Sequence, residues 1–108
     1  MPRRATQERE TYLVEHYRPG LTVEELRQWA ERVRVTAAQM RGEGKAVRYV
    51  RAAIVPADET LLCVLEAATE ELVRETYARA GIPFERLSAL IPEGTDGWAA
   101  HAINEEER

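Results

Sequence analysis

Residues 45–67 read KAVRYVRAAIVPADETLLCVLEA, and this stretch decides how the chain folds. The connection Pro56-Ala57-Asp58-Glu59 separates two runs rich in branched aliphatic residues, at 45–55 and 60–66. Branched and aromatic residues favour strands, and a short polar connection between two such runs is typical of an antiparallel hairpin. We therefore predict two paired strands joined at residues 56–59.

A strand and a helix are predicted on each side of this hairpin. Glu10–Tyr17 and residues 84–91 have the aromatic and branched composition of a first and a fourth strand. Residues 22–41 and 69–80 carry apolar residues at helical spacing. This order predicts an α+β, ferredoxin-like βαββαβ sandwich, in which a four-stranded antiparallel sheet has two helices on one face. Right-handed crossovers then give the strand order fourth, first, third, second.

Both predicted helices have recognisable ends. Thr22 and Glu25 stand at the spacing of a capping box, and Thr69 can cap the second helix. Gly42 ends the first helix, and Gly81, followed by a proline, ends the second. The residues expected to face the core are Leu26, Ala30, Val33, Ala37 and Met40, flanked by Trp29, and then Leu72, Val73, Thr76, Tyr77 and Ala80.

Size and charge restrict the possible classes of function. A chain of 108 residues suits one domain, predicted at 10–92, with a flexible N-terminal arm at 1–9 and a mobile C-terminal tail at 93–108. Trp98 could anchor that tail. A net charge of −4 argues against nucleic-acid and membrane partners. One cysteine and no secretory signal predict a cytoplasmic protein.

The hairpin loop also predicts which side chains share a face of the sheet. If Val55 pairs with Thr60, counting back sets Tyr49 opposite Glu66. Cys63 would then face the helices, and the opposite face would be uncovered. That uncovered face would contain Tyr49, Arg51 and Glu66 together with Val47, Ala53, Val55, Leu62 and Val64. An apolar patch of this extent is unusual in a monomer, so we predict a homodimer or a higher homo-oligomer.

The polar residues of this region are the candidate catalytic site: Glu66, His16, Tyr49 and Arg51. An enclosed carboxylate can act as a base, and an arginine can orient an anionic or carbonyl-bearing ligand. The leading hypothesis is a small-molecule-binding homo-oligomer with a polar pocket on the sheet, able to support a proton transfer of the isomerase or cyclase type. No motif requires catalysis, so a non-catalytic protein-interaction module is an alternative.

Several of these residues also have simpler interpretations. His16 is the best candidate for a proton carrier or metal ligand, and the alternative is a solvated histidine at a strand end. Cys63, in the middle of a strand, could be a small buried apolar residue. Glu15 could simply face water, and His101 lies in the tail without an evident role.

Four segments of the chain form a recognisable set: Tyr12-Leu13-Val14-Glu15-His16, Leu21-Thr22-Val23-Glu24-Glu25-Leu26, Leu62-Cys63-Val64-Leu65-Glu66-Ala67 and Ala80-Gly81-Ile82-Pro83. Together they resemble a family of small bacterial ferredoxin-like proteins, largely of unknown function, of which some members are described as nickel-binding. The resemblance spans residues 10–91 and implies, as a second alternative, a protein that binds nickel or another divalent metal, with His16, Glu66 and Cys63 as candidate metal ligands.

This chain departs from the metal-binding members at several positions. The resemblance places histidine and aspartate in their first helix, where this chain has Ala30 and Val33. It places further histidines at the positions of Tyr77 and Ile82, and an acidic residue at that of Val14. Because nickel and zinc sites use several imidazole, thiolate or carboxylate ligands, we predict that this chain binds nickel only weakly.

Overall fold

A computed structural model describes residues 9–93, and every structural statement below concerns that part of the chain. The residues of the predicted arm before Arg9 and of the predicted tail after Glu93, including Trp98 and His101, lie outside the described residues. Within residues 9–93, no helix is long and apolar enough to cross a membrane.

All six predicted elements are present. They are β1 (Glu10–Tyr17), α1 (Val23–Gly42), β2 (Val47–Val55), β3 (Thr60–Ala67), α2 (Glu70–Ala80) and β4 (Arg86–Leu90), with a 3-10 turn at Pro56–Asp58. The strands form one antiparallel sheet in the order β2-β3-β1-β4. The predicted α+β, ferredoxin-like arrangement is therefore confirmed.

The helix ends follow from the capping residues. The backbone amide of Glu25 donates to Thr22 Oγ1 (3.0 Å), and the amide of Thr22 donates to Glu25 Oε1 (2.8 Å). Thr69 Oγ1 accepts from the amide of Leu72 (3.3 Å) at the start of α2. Gly81 ends α2 with a φ of 73°, in the left-handed region that favours glycine. Local sequence therefore accounts for where each helix begins and where α2 stops.

The core lies between the two helices and one face of the sheet. Cys63 is fully buried there, so its predicted position beneath the helices is confirmed. The face of the sheet that contacts the helices is made by alternate residues of β1 and β3, as expected for a strand period of two. Its main members are Tyr12, Val14, Leu61, Cys63 and Leu65, and they pack with Leu26, Val33, Met40, Val73 and Tyr77 of the helices.

The hairpin register departs from the prediction at one residue. The pairing agrees from Val55 opposite Thr60 back to Arg51 opposite Val64. The register then shifts between Arg51 and Tyr49, so that Val50 is an extra residue in β2. A β-bulge of this kind sets two residues of one strand against one of its partner.

The bulge exchanges the faces of the residues that precede it. Tyr49 lies opposite Leu65 rather than Glu66, and Arg48 takes the place opposite Glu66. Tyr49 is partly buried against the core, and Val47 is buried within it. The predicted pairing of Tyr49 with Glu66 and the predicted exposure of Val47 on the uncovered face were therefore wrong. A shift of one residue turns every side chain to the other side of the sheet.

Candidate functional site

The predicted site residues lie on opposite faces of the sheet. Arg51 and Glu66 lie on the face without helices, whereas His16, Cys63 and Tyr49 lie beneath the helices. We call the first surface the outer face. It comprises Thr11, Leu13, Glu15, Tyr17, Arg48, Arg51, Ala53, Val55, Thr60, Leu62, Val64, Glu66, Arg86, Ser88 and Leu90. One chain therefore assembles neither the predicted pocket of Glu66, Arg51, Tyr49 and His16 nor a metal site of His16, Cys63 and Glu66.

The outer face has an apolar centre that crosses several strands. Leu13 and Leu62 are half-buried side chains on the two central strands, and Leu90 is a half-buried one on β4. Val64 is only 8% exposed although no helix covers this face. Arg51 lies directly opposite it, and the aliphatic stems of arginines commonly cover apolar neighbours. The outer face thus presents apolar surface that charged side chains surround.

The two carboxylates of the outer face each lie at the edge of ion-pairing distance from an arginine. Glu66 lies 3.9 Å from Arg9, and its side chain retains 24% exposure. Glu15 lies 3.7 Å from Arg86. Pairs at these distances and exposures contribute little to stability because water and salt screen them. The carboxylate of Glu66 therefore remains accessible to a ligand or to another chain.

His16 is fully buried, and its interpretation as a solvated strand end was wrong. It alternates along β1 in phase with Tyr12 and Val14, so it faces the helices with them. Its Nδ1 lies 3.0 Å from the carbonyl oxygen of Pro83. A carbonyl can only accept, so Nδ1 carries the proton and Nε2 has a lone pair. Nε2 is buried without a hydrogen-bond partner.

Aromatic rings surround the imidazole. The ring centroid of Tyr77 lies 5.2 Å away and that of Trp29 lies 6.1 Å away. Phe84 packs edge-on against Tyr77 at 5.5 Å. We call His16, Trp29, Tyr77, Phe84 and Cys63 the His16 corner. Over it lies a charged pair on the surface, in which the guanidinium of Arg18 sits 5.8 Å above the Trp29 ring and 3.3 Å from the Glu85 carboxylate.

Burial keeps the titratable groups of the His16 corner uncharged. It lowers the pKa of His16, an effect that the bond to Pro83 and the charge of Glu85 partly oppose. Burial raises the pKa of the Cys63 thiol to about 11, while the adjacent Tyr77 hydroxyl acts in the opposite direction. The pKa of Tyr77 is also raised, by burial first and then by Cys63. A thiol held protonated is a poor nucleophile.

The donor groups of the His16 corner do not fit a divalent nickel ion. They comprise one imidazole nitrogen, one protonated thiol and one phenol, whereas such ions are held by several imidazoles, thiolates or carboxylates. The nearby charges of Arg18 and Glu85 act on the imidazole in opposite directions, so they add no net negative charge for a cation. Among residues 9–93, no group of three or more His, Cys, Asp and Glu side chains is placed to hold a metal ion.

Sequence reasoning did not identify Tyr77 and Trp29 as the companions of His16. Tyr77 was predicted only as part of the inner face of α2, and Trp29 as a flank of the core stripe of α1. The alternation of Tyr12, Val14 and His16 along β1 was the available signal, because it places the histidine on the same side as two apolar residues. Which helix residues it would meet depended on the packing of α1 and α2.

The strand order, the helix layer on one side and the open outer face define a ferredoxin-like α+β protein. The chain belongs to the SCO4226-like family of nickel responsive proteins, whose model matches residues 12–89. The predicted family resemblance is thereby confirmed. The chain is similar to SCO4226 from Streptomyces coelicolor A3(2), with a TM-score of 0.61, 20% identity, and coverage of 78% of this chain and 99% of that one. That likeness shows a shared fold. No curated protein matches the chain.

Proposed function

We propose that this chain is a small-molecule-binding protein that works as a homo-oligomer, with the outer face as contact surface and ligand site. The observation that carries the proposal is the composition of that face, an apolar centre with acidic and basic groups around it and neither helix of residues 9–93 over it. A stable protein contact usually buries about 800 Å² on each partner, and one face of a four-stranded sheet is a surface of that order.

A second copy of the chain is the occupant that the charges favour. The outer face carries Glu15 and Glu66 as well as Arg48, Arg51 and Arg86. In a two-fold contact the same surface meets itself, so each carboxylate can lie against an arginine of the other copy. Such complementarity sets the orientation of the two copies while the apolar centre supplies most of the free energy.

The ligand would lie between the copies, near the middle of the outer face. Arg51 lies opposite Val64 there, and a guanidinium can hold a carboxylate by two parallel hydrogen bonds. Glu66 is the carboxylate available for the proton transfer of isomerase or cyclase type that the sequence suggested. Tyr49 has no part in this proposal, because it lies beneath the helices.

Light scattering on the purified chain tests the oligomer. A mass of at least twice 12.3 kDa is expected at micromolar concentration. Ala53 is exposed on the outer face, so Ala53→Asp should give a folded monomer. Val35, 39% exposed on α1, is the matched control, and Val35→Asp should leave the mass unchanged. A wild-type monomer would refute the oligomer.

Binding of benzoate, an anion with an apolar ring, tests the ligand site. We expect benzoate to shift amide resonances on β2 and β3, and Arg51→Gln to weaken that effect. Arg74→Gln, on the exposed side of α2, is the matched control. A stable oligomer that gives no response to benzoate or to other small carboxylates would favour the alternative of a non-catalytic interaction module.

Nickel is the second candidate ligand, and the description of the family supports it. His16 would be its principal ligand, with Nε2 as the donor atom. Among residues 9–93, no group of three or more His, Cys, Asp and Glu side chains forms around it, which argues for weak binding. A titration that compares wild type with a His16 variant separates the two candidates.

A further inference from the structure

Among residues 9–93, two buried polar atoms beneath the helices lack a full hydrogen-bond partner. They are Nε2 of His16, a residue with no exposed surface, and the hydroxyl oxygen of Tyr77, a residue only 1% exposed. The Tyr77 hydroxyl lies beside the Cys63 thiol, but a thiol is a weak hydrogen-bonding group and does not satisfy it. Buried polar atoms in folded proteins are nearly always paired, so each exception indicates a missing partner such as a water molecule or a ligand. Both exceptions belong to the His16 corner, on the side of the sheet away from the outer face.

The chemistry of the missing partner follows from the tautomer of His16. Its Nδ1 is committed to the carbonyl oxygen of Pro83 at 3.0 Å, so Nε2 can only accept a hydrogen bond. Tyr77, whose ring centroid is 5.2 Å from that of His16, has a hydroxyl that can both donate and accept. A group that donates to Nε2 and also pairs with the Tyr77 hydroxyl would satisfy both atoms.

The surroundings select a neutral partner. Trp29, Phe84 and the protonated thiol of Cys63 offer no charge, and the guanidinium of Arg18 lies over the Trp29 ring. The paired charges of Arg18 and Glu85 act on the imidazole in opposite directions. A cation would therefore lose its hydration without gaining a net negative charge beside it, while an anion would meet the lone pair of Nε2. A hydroxyl group has the required donor and acceptor without either penalty.

We propose that His16 Nε2 and the Tyr77 hydroxyl form a buried binding site for one neutral hydroxyl group, supplied by a water molecule or by a small phenolic ligand. A phenol is the ligand class that the aromatic enclosure favours, because its ring can stack where the side chains are aromatic. Trp29 is only half-buried, which places the corner close to the surface. The proposal does not depend on the outer face or on the oligomer.

Nuclear magnetic resonance with ¹⁵N-labelled histidine tests it on the full chain. A bound water should give cross-relaxation peaks to the ring protons of His16 or Trp29 in the wild-type protein. Phenol should shift the Nε2 resonance and displace those peaks, whereas benzene, which has the same ring but no hydroxyl, should leave Nε2 unchanged. Tyr77→Phe should weaken phenol binding about fivefold, the usual effect of one lost hydrogen bond. Tyr49→Phe is the matched control.

Water peaks in the wild type would support the proposal with water as the source of the hydroxyl. A shift of Nε2 with phenol but not with benzene would support it with a phenolic ligand as the source. If wild type shows neither, the site does not exist, whether or not Tyr77→Phe folds. If Ni²⁺ at micromolar concentration moves the Nε2 resonance, the site accepts a cation and the proposal is overturned.

Discussion

The imidazole of His16 is neutral in the folded protein because of where it lies. Burial lowers its pKa, and the hydrogen bond from Nδ1 to the carbonyl of Pro83 holds the ring in one tautomer. Protonation would create a second buried N–H without an acceptor, a cost that the charge of Glu85 offsets only in part. The folded state therefore excludes the proton that the unfolded chain readily binds.

The pH dependence of unfolding should reveal this exclusion. The pKa of His16 in the folded protein lies below its ordinary value of 6.5. Above pH 6.5 the imidazole is neutral in both the folded and the unfolded chain, so the contribution of the buried neutral imidazole to stability is fully present there. It is lost as the pH falls below 6.5 towards the folded pKa, with a slope of at most about 1.4 kcal/mol per pH unit. Urea unfolding between pH 8 and pH 5, roughly centred on the pKa of free histidine, measures it.

His16→Asn is the informative variant, because its amide nitrogen can replace Nδ1 as donor to Pro83 while removing the titrating group. It should lose this component of the pH slope, and His101→Asn should retain it. An unchanged slope in His16→Asn would mean that the imidazole is not protonated differently in the folded and unfolded states.

Nickel affinity is also decided by single residues. The resemblance places histidines at the positions of Tyr77 and Ile82, so this chain lacks those two ligands. Calorimetry on untagged protein should therefore show no stoichiometric nickel site with a Kd below micromolar, which corresponds to a binding free energy of about −8 kcal/mol. The reason is that one imidazole cannot replace the hydration shell of a divalent ion. A tight one-to-one isotherm that His16→Ala abolishes would contradict this expectation.

At the scale of single strands and helices, the bulge at Val50 has the largest effect on which side chains lie together. It sends Tyr49 to the core side of β2 and leaves Glu66 opposite Arg48 on the outer face. Burial raises the pKa of the Tyr49 phenol, as expected for a hydroxyl that has lost most of its water. Two residues that a regular hairpin would pair thus have different environments and different energetic roles.

Substitutions at these two positions should therefore differ in cost. Tyr49→Ala removes a ring that packs against the core and should lower the free energy of unfolding by about 2 kcal/mol. Glu66→Gln removes the charge of a partly exposed carboxylate 3.9 Å from Arg9 and should cost less than about 1 kcal/mol. Urea unfolding measures both. A larger cost for Glu66→Gln than for Tyr49→Ala would indicate a regular hairpin without the bulge.

At the scale of the whole described fold, both helices of residues 9–93 lie on one side of the sheet, so neither covers the outer face. Val64 is nearly buried there even in a single chain, whereas Ala53 is exposed on the same face. A charge at position 64 would therefore disturb folding and assembly together, while a charge at position 53 acts on assembly. This difference allows the oligomer to be tested without unfolding the subunit.

If two copies associate through the outer face, thermal stability should depend on protein concentration. Association stabilises the folded state by mass action, so the Tm of the wild type should rise as the chain is concentrated from micromolar to millimolar. Ala53→Asp should have a Tm that is lower and independent of concentration, and Val35→Asp should behave as the wild type. Differential scanning calorimetry measures this, and a wild-type Tm that does not change would argue for a monomer.

The sequence by itself determined the order of strands and helices, the capping of both helices and the face of α1 that meets the core. These features depend on contacts between residues a few positions apart, such as Thr22 with Glu25, and on the apolar period within one element. The strand order followed as well, because crossover handedness leaves few ways to connect such elements.

Only the tertiary structure decided which polar residues lie together. The extra residue Val50 became visible through the pairing of two whole strands, and it separated Tyr49 from Glu66. The enclosure of His16 required β1, both helices and the segment before β4 to meet at one place. Such contacts join residues as far apart as His16 and Pro83, and their formation depends on the total packing of the core rather than on any local pattern.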